Sequence, residues 1–214
     1  MPTDLYTFVH KAQRVKLFDL SGLIGRADFA AADDTARVKA ALESMIAHLR
    51  DHAAIEDHYI HPLYRALAKD EDALDVAAEF DAEHGFLEEE LAHLEDIVSK
   101  GRWKELHRAY NGFLGRYLVH LEEEEAAQEE VLWAQVPDED LQEVFARFQR
   151  ERAPEKLRED LEYFLPALSA PELTLMFTGM KLRAPAPVFE FAQGLGEQMV
   201  APEIWAKVKA AITA

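Results

Sequence analysis

Apolar residues recur at alternating intervals of three and four along most of this chain, the spacing that lines one face of an α-helix. Tyr6, Leu17, Leu20 and Ile24 mark a first stripe that also carries His10 and Gln13 and ends near Gly25. A second starts after Asp33 and Asp34, two capping candidates, and runs through Leu42, Met45, Leu49, His52, Glu56, Tyr59 and Leu63. Phe80, His84, Leu87, Leu91, Leu94 and Val98 form a third, which stops at Gly101. The fourth holds Leu106, Tyr110, Phe113, Tyr117, His120, Glu124, Ala127 and Val131. The period-two alternation of half-buried strands is absent. Four amphipathic helices with mostly short connections predict an all-α fold, an antiparallel up-down four-helix bundle.

Proline divides the chain. Seven of the nine prolines lie between positions 137 and 202, so long helices are expected before them and shorter ones after. The short helices are placed at 139–152, 155–165, 172–181 and 187–200, with a last turn or helix at 203–212. The predicted organisation is a bundle over 1–135 and a helical C-terminal extension over 136–214. Phe145, Phe148, Phe164, Phe177, Phe189, Phe191 and Trp205 are too many aromatic rings to leave in water. They are expected to pack on the bundle or on a second subunit of a homodimer. Earlier in the chain, Pro62 predicts a helix end, with His58 and His61 beside it.

Composition narrows the chemistry. Lys and Arg number 23 against 41 Asp and Glu, a formal charge of −18. A nucleic-acid binder carries a basic face, and anionic lipid repels such a chain; neither partner is expected. Cysteine is absent, which removes disulfides, thiolate metal sites, Fe–S clusters and cysteine nucleophiles together. No apolar run approaches the roughly 18 residues of a membrane span. The first residues lack a charged-then-apolar leader pattern, so a cytoplasmic protein is expected.

Each of the four stripes is interrupted by one histidine: His10, His52, His84 and His120. A histidine on an apolar face is ordinarily a satisfied core residue. The acids carry more weight. Glu56 follows His52 by four residues and Glu124 follows His120 by four, both on stripe positions. An unpaired carboxylate inside a bundle costs several kcal/mol or takes up a proton. His84 and Glu88 repeat the spacing. A His–Glu pair one turn apart points both side chains the same way, and imidazole with carboxylate is a donor set for iron, manganese or zinc. His48, one turn before His52, is a gating or rim residue and a weaker ligand candidate. Tyr117, one turn before His120, is the tyrosine best placed to support the site.

The order His10, His52-x-x-x-Glu56, His84, His120-x-x-x-Glu124 resembles the hemerythrin-like, HHE cation-binding pattern. The stretch His10-Lys11-Ala12-Gln13-Arg14 and the run His52-Ala53-Ala54-Ile55-Glu56-Asp57 are similar to bacterial members, and Leu165-Pro166-Ala167-Leu168 resembles a long bacterial subgroup. The resemblance implies a non-haem centre of two iron ions per chain, oxo- or hydroxo- and carboxylate-bridged. By position, His10 and His52 would be terminal ligands of one iron and His84 and His120 of the other. Glu56 and Glu124 would bridge. The family implies O₂ or a related small oxidant as the ligand, for sensing, storage or detoxification.

Two positions depart from the oxygen-carrying hemerythrins. They place a second histidine one turn after the third-helix histidine, where this chain has Glu88. Their last carboxylate is an Asp five residues after its histidine; here Glu124 stands at four and Glu125 at five. Glu124 is preferred because it lies on the stripe. Glu88 either ligates, as a third carboxylate favouring ferric iron, or turns to solvent and leaves that iron an open position. Both departures weaken an oxygen-carrier reading; the second reading is an enzyme acting on peroxide or nitric oxide. A third is a bundle merely stapled by structural metal.

Overall fold

The computed structural model describes residues 2–67 and 71–213, with 71–75 described by backbone alone, and every regular element among them is helical. In chain order these are α1 (Thr7–Arg26), α2 (Ala32–Ile55), a π-helical turn (Glu56–Ile60), α3 (His61–Ala66), α4 (Glu71–Ser99) and α5 (Trp103–Ala127). A second π-helical turn (Gln128–Leu132) follows, then α6 (Trp133–Gln135), α7 (Asp138–Glu151), α8 (Pro154–Phe164), α9 (Ala170–Arg183), α10 (Ala186–Met199) and α11 (Pro202–Thr213). No helix among the described residues is long and apolar enough to cross a membrane.

The chain divides into two compact units. One combines the residues up to Tyr6 with Lys16–Arg150, and the other combines Thr7–Val15 with Glu151 onward. In the first unit the long helices run antiparallel, as cross-helix pairs show. Arg50 on α2 meets Glu95 and, in the π-helical turn just beyond α2, Asp57 meets His84 earlier on α4. Between α4 and α5, Glu90 pairs with Arg116 and Glu83 with His120. Tyr110 Oη donates to the Leu17 carbonyl at 2.9 Å, tying α5 to α1. Leu42, Ile46, Leu94, Ile97, Leu106 and Phe113 are buried between these helices.

Helix ends follow local chemistry. Gly101, at φ 63°, takes the left-handed conformation after α4. Its N–H reaches the Val98 carbonyl and the Arg102 N–H reaches that of Ile97, the paired bonds of a Schellman stop. Asp33 and Asp34 are not caps: α2 begins at Ala32, and both acids lie in its first turn, where they complement the helix dipole. Asp34 still organises the entry, accepting the Asp28 N–H at 2.9 Å.

Pro62 does not end its helix. The preceding turn widens into a π-helical one, closed by the His61 N–H on the Glu56 carbonyl, and α3 continues to Ala66. The wider turn accommodates the ring and the missing N–H that would disrupt an α-helical ladder. The second π-helical turn begins four residues after Glu124.

In the second unit prolines start helices rather than break them. Pro154, Pro171 and Pro187 occupy first-turn positions of α8, α9 and α10, where an N–H has no intrahelical partner to lose. Ser169 and Glu172 cap α9 reciprocally, and Lys11 pairs with Glu172. Phe177, Phe189 and Trp205 pack against one another, whereas Phe191, expected to be covered, is exposed. Phe177 is fully buried, its ring 5.0 Å from Trp205 and 6.3 Å from Phe189, with Leu165, Leu173 and Val208 in the same core.

Candidate metal centre

Four donors converge inside the first unit. Glu56 closes α2, His84 lies on α4, and His120 and Glu124 lie on α5. Each offers one ligand atom within 4.8 Å of the other three. His84 Nε2 stands 3.6 Å from Glu56 Oε2 and 3.6 Å from Glu124 Oε1. His120 Nε2 is 3.4 Å from Glu124 Oε1, and His52 Nε2 is 2.9 Å from Glu56 Oε1. Two donors each about 2.1 Å from a common ion lie roughly 3.0–3.4 Å apart, so these atoms stand at spacings that a metal ion could share. Glu56 and Glu124 are 1% and 0% exposed. Two carboxylates so deeply buried call for positive charge.

The histidines are already oriented for ligation. His84 Nδ1 meets Asp57 Oδ1 at 2.9 Å, and His120 Nδ1 meets Glu83 Oε2 at 2.7 Å. A carboxylate on Nδ1 fixes the ring and turns Nε2 toward a metal. In both residues Nε2 faces the Glu56–Glu124 pair. Burial alone would depress the His84 imidazole, but Glu124, Glu56 and Asp57 outweigh it and lift its pKa to about 9. His120 in turn holds the Glu83 carboxyl below its ordinary range. Removing either anchor, by Asp57→Ala or Glu83→Ala, is expected to weaken ferrous-iron affinity about 10–100-fold at unchanged helix content. Anaerobic iron titrations followed by circular dichroism check this, and unchanged affinity in both variants would contradict the anchoring role.

His10 is fully buried on α1. His48 is half-buried on α2 and Glu125 half-buried on α5, and neither joins a three-donor group among the described residues. Glu88 is exposed and held by Arg50, whose Nη2 donates to Oε1 at 2.7 Å and Nε to Oε2 at 2.8 Å. A second fork to Glu95 fixes the same guanidinium.

Several neighbours of the cluster escape sequence reasoning. His61 is fully buried and stacked between His84, at 5.0 Å, and Phe80, at 5.6 Å. Its Nδ1 lies 3.2 Å from both Asp57 and Asp81. Tyr6 is buried near Glu124, Tyr64 and Glu56; burial and these neighbours keep its phenol protonated far above the ordinary range. Asp57 had a signal, since it adjoins Glu56 in the quoted motif. Glu83 had none, because its partner lies on another helix.

The family model "Hemerythrin HHE cation binding domain" matches residues 1–127. The chain belongs to the hemerythrin HHE cation-binding domain family. No curated protein and no solved structure matches it.

Proposed function

We propose that this chain is a non-haem diiron protein that takes up O₂ or a related small oxidant. The observation that carries the reading is the pair of histidines His84 and His120, each anchored through Nδ1 and turned through Nε2 to the buried carboxylates Glu56 and Glu124. In this reading His10 and His52 hold one iron, His84 and His120 the other, and Glu56 and Glu124 hold both. When bound, a ferrous pair supplies the two electrons that reduction of such an oxidant consumes. Asp57 and Glu83 keep the imidazole rings in register, and Tyr6 and Tyr64 present protonated phenols beside the carboxylates.

Turnover of peroxide is the second reading, favoured by Glu88 being drawn away to Arg50. An iron held by His84 and His120 would then be one protein ligand short of that in an oxygen carrier. A metal site serving only to staple the bundle would be closed by protein ligands. Anaerobic ferrous loading is expected to give two irons per chain and a spectrum that changes on exposure to air or peroxide. A reproducible maximum of one iron would defeat the dinuclear reading. A long-lived oxygenated form that releases O₂ under vacuum would favour carriage over turnover.

A further inference from the structure

A cavity of about 370 Å³ opens beside the cluster, with α2 on one side and α4 on the other. A water molecule occupies about 30 Å³ of liquid, and a diatomic oxidant needs little more. Cavities of about 300–1,000 Å³ are the size that accepts small organic molecules. The space has identifiable causes. Gly85 follows His84, and a Cβ added there meets nothing within 4 Å. Across from it α2 contributes the small side chains Ala53 and Ala54. Glu88, one turn beyond His84, is pulled outward by Arg50 rather than folded into the space.

The lining is graded. His84, His120 and Glu56 form its polar end, and Leu49, Leu91 and Tyr117 give it an apolar wall. The charges at its mouth are committed to one another. Arg50 is forked to Glu88 and Glu95, Asp57 meets His84 and His61, and Asp81 is bonded to Arg65. An ionic ligand would have to break one of these pairs or be desolvated against an apolar wall, and both cost free energy. A neutral ligand avoids both.

We propose that this cavity binds a small neutral organic oxygen compound, of the class of an alkyl or aryl hydroperoxide or its alcohol, with the oxygen end at the cluster and the hydrocarbon along Leu49 and Leu91. The choice of an oxygen end rests on the diiron reading above; the shape and the neutrality rest on the cavity itself. The site would make the protein selective for organic hydroperoxides over hydrogen peroxide, through contacts that hydrogen peroxide cannot make.

Calorimetric titration of the full-length protein with cumyl alcohol, the unreactive alcohol of cumene hydroperoxide, tests this. Saturable one-site binding is expected, weakened at least tenfold in Gly85→Leu, whose side chain fills the cavity. Leucine is a better helix former than glycine, so helix content should persist. If it does not, Gly85→Ala is expected to weaken binding severalfold with the helix intact. Absence of saturable binding to the wild type overturns the proposal, as does equal affinity in the variant that retains its fold. Repeating the titration after chelation, with iron counted separately, keeps the two readings apart. Binding that survives in a chain unable to hold two irons supports the cavity and sinks the diiron reading, whereas full iron loading without binding does the reverse.

Discussion

If the proposed diiron reading holds, Glu56→Ala and Glu124→Ala each lower the iron taken up on anaerobic loading by half or more, while Glu125→Ala leaves it near the wild-type value. Both target carboxylates are buried and stand within ion-sharing distance of His84. Glu125 is half-buried and outside the cluster. A carboxylate that bridges two cations serves each, so its loss costs more than the loss of a terminal ligand. The measurement is iron per chain after anaerobic loading and desalting, with helix content as the control. An iron content that falls in Glu125→Ala and not in Glu124→Ala would transfer the bridging role to the neighbouring residue.

Phe177→Ala is expected to destabilise the second unit by about 3–5 kcal/mol, the range for deleting a buried aromatic ring. Phe177 is fully buried, and two rings and several aliphatic side chains surround it. That loss is a large share of the roughly 5–15 kcal/mol that holds a domain together. Chemical denaturation followed at Trp205, whose ring lies 5.0 Å away, should show an early transition in the variant. A change below about 1 kcal/mol would mean that the surrounding core closes over the gap or does not depend on that ring.

The long helices were legible because a three-four stripe such as Leu87, Leu91 and Leu94 has few other uses, and Gly101 ends its helix as its backbone freedom suggests. Pro62 misled, because a single sequence does not reveal a widened turn that absorbs proline. Asp33 and Asp34 were recognised as belonging to a helix start but placed outside it, since acids serve both caps and first turns. The inward carboxylates were legible from cost: Glu56 and Glu124 sat where an uncompensated charge is expensive. Their supports were not. Glu83 serves a histidine thirty-seven residues away, and periodicity along one helix carries no information about a partner on another. For the same reason the sequence left two fates open for Glu88, and Arg50, a whole helix earlier, decides between them.

The first helix is divided between the two units, Thr7–Val15 belonging with the chain from Glu151 onward and Lys16–Arg26 with the long helices. During synthesis, residues 7–15 leave the ribosome well over a hundred residues ahead of the segment they pack with. At about 5–20 residues per second, that segment begins to emerge roughly ten to thirty seconds later. Through that interval Phe8, which ends in the second core, has no native apolar neighbours from the tail.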